Sequence, residues 1–272
     1  MRLTLLPLLL IGAVIAATDK PRSADSTANY NIPLWEDGKV PLAKGDGPLD
    51  KPFLTVFQAR KANGASVVIA PGGSNIMLMY GAEGIDIAER YNDWGVTAFV
   101  LTYRLSPRYG DDARALDGNR AIQVIRSRAA ELKLDPNRIG YIGFSAGSNM
   151  GRVVMNAAVA GDASSPDPAA RVSSRPDYLA LIYGPGRPNA SENLKNFPPV
   201  FLCAAQFDRG PSLGSAQFFS DLTRAGVPAE LHLYQKGRHG FGSGFGSPEF
   251  SEWMAALKHF LEQAGMLPGV AK

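Results

Sequence analysis

The feature that most narrows the fold of this chain is an alternation. Short apolar, β-branched runs occur at Phe53–Phe57, Ser66–Ala70, Val96–Tyr103, Arg138–Phe144, Tyr178–Tyr183, Val200–Ala205 and Glu230–Tyr234. Between most of them lie stretches of helical character: Glu83–Asn92, Asp112–Leu132, Ala146–Val159, Ser215–Ala225 and Pro248–Ala264. In Asp112–Leu132 the residues Ala115, Ile122, Val124, Ile125 and Ala129 suit a helix laid on a sheet. Gly226 is placed to cap Ser215–Ala225. Strands that are apolar nearly throughout belong to a sheet covered on both faces. Alternation with helices makes that sheet mostly parallel, with right-handed crossovers. The expectation is one α/β domain over residues 51–272, with no internal repeat, low-complexity block or linker.

Two segments precede it. Residues 18–50, rich in Pro, Gly, Asp and Lys, read as an irregular arm lying over the domain. Before them, Met1-Arg2 leads into the almost wholly apolar Leu3–Ala17, and small Val14, Ala16 and Ala17 meet polar Thr18-Asp19-Lys20. That layout predicts a secretory signal peptide over 1–17, cut after Ala16 or Ala17, and a periplasmic or secreted mature protein. The apolar run is shorter than the ~20 residues of a spanning helix, so no stable membrane insertion is expected after cleavage. An uncleaved anchor is the alternative. No cysteine follows the run to carry a lipid.

Composition removes several function classes. Hydrophobic residues at 45% and charged residues at 19% exclude wholesale disorder. Lys+Arg 28 against Asp+Glu 25, scattered along the chain, gives no support to a nucleic-acid partner. A single cysteine, Cys203, excludes an internal disulfide and a Cys-rich metal cluster. His232, His239 and His259 leave little material for a zinc site, and no metal is expected. Enzymes and binding proteins remain.

Gly-x-Ser-x-Gly occurs twice, as Gly143-Phe144-Ser145-Ala146-Gly147 and as Gly210-Pro211-Ser212-Leu213-Gly214. Context separates them. Ser145 directly follows a strand-like run and directly precedes a helix-like one, the strand–sharp turn–helix setting that lifts a serine above a sheet. Ser212 lies in a loop behind Pro211. A serine hydroxyl needs a base. His239 sits in the glycine-rich Lys236–Gly242 after the last strand, whereas His232 alternates with leucines in a strand and His259 falls on the final helix. An imidazole base needs an acid to fix its tautomer. Asp208 follows Val200–Ala205 and is the sole carboxylate between Glu192 and Asp221. Pro71-Gly72-Gly73-Ser74-Asn75 follows Ser66–Ala70, where a glycine pair can turn amides towards Ser145. Gly73, Ser74 and Ala146 are the candidate oxyanion-hole donors.

Together these residues resemble the secreted bacterial acetylxylan and feruloyl esterase-like α/β-hydrolases, a branch near the hormone-sensitive-lipase-like esterases. The resemblance runs from about Ile32-Pro-Leu-Trp35 to His239-Gly-Phe-Gly242. It includes Ala70-Pro-Gly-Gly73, Glu83-Gly84, Phe99–Arg104, Asp135–Gly140, Gly143–Gly147 and Val227–His232. It implies an α/β-hydrolase fold, no cofactor and an acyl-enzyme mechanism, with Ser145, Asp208 and His239 as the triad. Three places depart from the family pattern. The glycine loop ends in Ser74 rather than a third glycine, Gly147-Ser-Asn-Met150 replaces Gly-Gly-His, and Gln206-Phe-Asp-Arg209 lacks a second aspartate. Some members of the branch carry xylanase labels, but no pair of carboxylates suited to glycoside cleavage is singled out here.

The connection Gly184–Pro199 is too short for a bulky lid and points to an open cleft. Asn75, Tyr183 and Arg238, with Met77, Tyr80 and Phe241, are candidates to line it. Trp35, Trp94 and Trp253 read as core or arm contacts, and Cys203 as inert packing. The leading expectation is a carboxylesterase acting on a small-molecule or polysaccharide ester, acetyl or feruloyl. Two alternatives stand beside it: a small prolyl-oligopeptidase-type peptidase, and a non-catalytic binding protein on a hydrolase scaffold. The residues give no oligomeric state.

Overall fold

The computed structural model describes residues 30–185, 192–244 and 248–268. The leader expected over 1–17 lies outside the described residues, as does 186–191 of the Gly184–Pro199 connection.

One eight-stranded sheet runs through the domain in the order β1-β2-β4-β3-β5-β6-β7-β8. Its strands are β1 (Tyr30–Pro33), β2 (Phe53–Phe57), β3 (Ser66–Ala70), β4 (Thr97–Thr102), β5 (Ile139–Phe144), β6 (Leu179–Ile182), β7 (Val200–Ala205) and β8 (Ala229–Tyr234). From β4 to β8 every pairing is parallel, and β1 and β2 join antiparallel at one edge. From β2 to β8, period-two alternation divides each strand between two apolar layers. Val68, Phe99, Tyr141, Leu181 and Leu202 face a core with α2 (Asp111–Ser127), α4 (Ala146–Asn156) and α5 (Arg209–Arg224). Val67, Val100, Ile142, Ile182 and Cys203 face the other core, under α1 (Asp86–Asp93) and α6 (Pro248–Gln263). Cys203 is fully buried, and burial pushes its thiol far up, consistent with inert packing.

Three expectations change. The arm is not wholly irregular, because Tyr30–Pro33 pairs with β2. Only Ile32 of that strand is buried, so no alternation marks it. The stretch Asp112–Leu132 is broken at Arg128, whose φ of −104° and ψ of 14° end α2 before the short α3 (Ala129–Leu132). Finally, α5 starts at Arg209 rather than Ser215 and takes in the second Gly-x-Ser-x-Gly.

Side chains of the domain fasten the arm. Arg104, at the end of β4, is 1% exposed and pairs with fully buried Asp117 at 2.7 Å. Its Nη1 donates to the Pro41 carbonyl at 2.5 Å, and its guanidinium lies 5.7 Å from the Trp35 ring. Nearby, Asp50 accepts hydrogen bonds from Arg108 and from the Tyr109 hydroxyl.

Candidate active site

Ser145 occupies the single residue between β5 and α4, with φ 49° and ψ −111°. That backbone is strained for a residue with a side chain and needs close packing around it. The flanking glycines supply the space. A Cβ on Gly143 would lie 2.2 Å from the Gly147 carbonyl oxygen, and one on Gly147 would lie 2.0 Å from that of Ala70. The Tyr141 hydroxyl donates to the Gly147 carbonyl at 2.8 Å, fixing the turn from beneath.

The loops after β5, β7 and β8 meet at the carboxyl edge of the sheet. Ser145 Oγ is 2.7 Å from His239 Nε2, and His239 Nδ1 is 2.6 Å from Asp208 Oδ2. Asp208 ends the turn after β7 and directly precedes α5. Its side chain is 14% exposed and that of His239 is 48% exposed, so the imidazole borders solvent while the carboxylate is shielded. With the imidazole proton on Nδ1, that N–H donates to Asp208 and Nε2 is free to accept from the serine hydroxyl. This is the arrangement that turns a serine into a nucleophile.

Gly72 lies against Ser145. A Cβ there would sit 2.9 Å from the Ser145 Cβ and 2.6 Å from the Phe144 carbonyl oxygen. The next residues turn sharply, with φ 128° at Gly73, 55° at Ser74 and 62° at Asn75. The Gly73 carbonyl accepts from the amides of Ile76 and Met77, and the Gly72 carbonyl from Met79. The amides of Gly73 and Ser74 donate to no acceptor among the described residues. Ala146 is the first residue of α4, where an amide has no partner within the helix and the dipole favours negative charge. Among the described residues, four of the six with positive φ other than glycine (Ser74, Asn75, Ser145 and Tyr183) cluster here.

The remaining sequence candidates separate. Arg238 is exposed beside His239 on its loop. Met77 is 54% exposed. Asn75 presents its carbonyl to the Ser106 amide at 2.7 Å, while its side-chain oxygen is buried without a partner. Tyr183 is a correction: it is fully buried and does not line an open cleft. Its hydroxyl donates to Glu83 Oε1 at 2.7 Å and accepts from the Gly242 amide at 3.1 Å, and its ring centre lies 5.1 Å from that of His239. Tyr80 is half-buried and donates to Thr55, and Phe241 packs on Tyr183 and Trp253. The rival Ser212 is buried in α5, its hydroxyl donating to the Gln206 carbonyl at 3.0 Å. His232 stacks on Phe201, and His259 is exposed on α6.

Glu83 was legible only as part of the Glu83-Gly84 pair. It is 4% exposed, and its second carboxylate oxygen accepts the Gly72 amide at 2.6 Å. Burial pushes its carboxyl above the ordinary range, opposed by the hydrogen bonds from Tyr183 and Gly72.

Residues 72–190 match the family described as alpha/beta hydrolase fold. The crystal structure of an acetyl ester-xyloside bifunctional hydrolase from Caldicellulosiruptor lactoaceticus superposes with a TM-score of 0.78 at 31% identity, covering 88% of this chain and 97% of that one. A thermophilic esterase from Thermogutta terrifontis shares the fold, with a TM-score of 0.64 at 20% identity over 81% of this chain and 90% of its own. An acetylxylan esterase from Xylanibacter ruminicola is 24% identical over 254 residues, 81% of this chain and 48% of that protein. The chain thus spans about half the length, or less, of the curated relatives it matches. A likeness that runs nearly end to end at 31% identity joins the profile match and the strand order, and the chain belongs to the α/β-hydrolase fold family, in the esterase branch near the hormone-sensitive-lipase-like enzymes.

Proposed function

We propose that this protein is a serine carboxylesterase that removes acyl groups, acetyl or feruloyl, from carbohydrate. The observation that carries the reading is the unbroken run of hydrogen bonds from Ser145 through His239 to Asp208, at 2.7 and 2.6 Å. His239 takes the Ser145 proton as Oγ attacks the ester carbonyl, and Asp208 holds the imidazolium that forms. The amides of Ala146 and of Gly73 or Ser74 receive the oxyanion, each donor worth about 3–4 kcal/mol in the transition state. His239 then protonates the departing alkoxide. Water, deprotonated by the same imidazole, releases the acid from the acyl-enzyme. Every role in this cycle falls to a side chain or amide of the chain, so the reading uses no cofactor.

The carbohydrate part of the proposal draws on the relatives, which are named as an acetylxylan esterase and an acetyl ester-xyloside hydrolase. Export through the 1–17 leader, placing the enzyme in the periplasm or outside the cell, belongs to the same proposal. No described helix is long and apolar enough to cross a membrane.

Release of acid from acetyl, butyryl and feruloyl esters and from acetylated xylan tests the reading, with wild type compared against Ser145→Ala. Turnover abolished by the substitution supports it, and the preferred ester names the acyl group. Turnover that survives in Ser145→Ala rules out this nucleophile. A folded wild type that neither turns over an ester nor reacts with a fluorophosphonate is a binding scaffold, and one that releases amino acids from peptides is a peptidase.

A further inference from the structure

We propose that Glu83 is a positioning residue that ties the oxyanion loop to the histidine loop, through Gly72 on one side and Tyr183 on the other. The inference rests on the esterase reading and deepens it, since Glu83 touches none of the reacting atoms.

A carboxylate buried this deeply is costly unless its oxygens are bonded. Both are, and both bonds end at the site. Oε2 holds the Gly72 amide at 2.6 Å and Oε1 holds the Tyr183 hydroxyl at 2.7 Å. Gly72 leaves no room for a side chain between Glu83 and the nucleophile, because a Cβ there would lie 2.8 Å from Oε2 and 2.9 Å from the Ser145 Cβ. With its amide held by Glu83 and its carbonyl by Met79, the Gly72 peptide is fixed at both ends. The orientation of the following peptides, including the free amides of Gly73 and Ser74, is set from there.

The other oxygen acts towards the histidine loop through Tyr183. Tyr183 is held by Glu83, accepts the Gly242 amide at 3.1 Å and sets its ring edge-on to His239 and Phe241, at 5.1 and 4.6 Å. Its φ of 39° is strained, and the two hydrogen bonds keep it there. The carboxylate therefore braces two parts of the site that are far apart in sequence. Catalysis tolerates little drift between them, since a misplacement of about 1 Å costs on the order of 10²-fold in rate.

Glu83→Met keeps the bulk and removes both acceptors. It is expected to lower kcat about 10²-fold while leaving KM within a few-fold, because the bonds it breaks align the transition state. Affinity for an alkylboronic acid, whose tetrahedral adduct on Ser145 places an oxygen in the oxyanion hole, is expected to fall by a similar factor. Glu83→Gln, which retains one acceptor oxygen, is expected to recover part of both losses. If Glu83→Met does not fold, Tyr183→Phe carries the test, because it deletes only the hydroxyl and is expected to reduce kcat and boronate affinity together. Unchanged kcat and boronate affinity in the folded variants overturn the proposal. So does a loss that disappears when rates are divided by the fraction of sites titrated with a fluorophosphonate, since that loss is one of folding alone. If wild-type turnover is absent or survives Ser145→Ala, the esterase reading itself has failed. If turnover depends on Ser145 and ignores Glu83, only this inference has.

Discussion

The two Gly-x-Ser-x-Gly matches are alike as strings and opposite as environments, and their glycines make the difference measurable. Gly147 is pressed to within van der Waals limits: a Cβ there would meet the Ala70 carbonyl oxygen at 2.0 Å, and the nearest atoms are all backbone of Ala70 and Pro71, which cannot yield cheaply. Gly147→Ala should therefore destabilise the fold by roughly 1–3 kcal/mol or more, as overpacking does, and should abolish labelling of Ser145 by a fluorophosphonate. Gly210, in the first turn of α5, has open space around its Cβ position and an ordinary φ. Gly210→Ala should leave activity intact and raise stability by about 0.4–1 kcal/mol through the unfolded chain. Thermal denaturation of the two variants checks both signs at once. The hydrogen-bonded set of Ser145, His239 and Asp208 could be assembled from the sequence because each residue carries its own local signal: a serine between strand and helix, an aspartate at a strand end and a histidine among glycines. Tyr183 and Glu83 carried none. They are bonded to each other across 100 residues, and Tyr183 to Gly242 across 59, and a tyrosine at the end of an apolar strand reads equally well as a cleft wall or as a brace.

The elements that escaped the sequence are those that hydrophobic alternation does not mark. Strand β1 buries only Ile32, and the arm after it is anchored by Arg104, Asp117 and Asp50. The start of α5 was hidden because Gly210, Pro211 and Gly214 look like loop, although Pro is well tolerated in a first turn. The Arg104–Asp117 pair makes the anchoring testable. Both members are almost fully buried, and removing one partner strands the other charge. Asp117→Ala should cost about 3–5 kcal/mol in a urea titration, far more than loss of the exposed Lys39–Glu36 pair. Asp50 adds a pH dependence. Hydrogen bonds from Tyr109 and then Arg108 hold its carboxyl below the ordinary carboxylate range. A depressed carboxyl adds stability that is complete above that range and drains away as the pH falls through its lowered value. Amide-exchange protection of residues 34–50 should thus be steady from neutral pH down to about 4 and decline below it. Asp50→Asn should show the weaker protection already at neutral pH.

At the scale of the whole molecule, the sheet is shared between two apolar layers, and the site spans both. Successive residues of β3 face opposite sides, Val67 and Ile69 towards α1 and α6, Val68 and Ala70 towards α2 and α4. Ser145 is carried by β5 and α4, while Phe144 beside it packs at 6.2 Å on Trp253 of α6. Trp253 also touches Phe241, close to His239 in the same loop. This division was readable from the unbroken apolar strands, which demanded helices on both faces; which helix took which face was set by the crossovers and was not. Because every strand from β2 to β8 is shared between the layers, neither layer can open without exposing the other's backing. The two should therefore unfold together even though the chain is larger than most two-state domains. Leu257, fully buried on the inner face of α6, provides the test. Leu257→Ala should cost about 2–5 kcal/mol. Native-state amide exchange should lower the opening free energy of α2, in the opposite layer, by the same amount as that of α6. A loss confined to α6, α1 and their contacts would mean that the layers open separately. The alignment of His239 with Ser145 would then depend on the α6 layer alone.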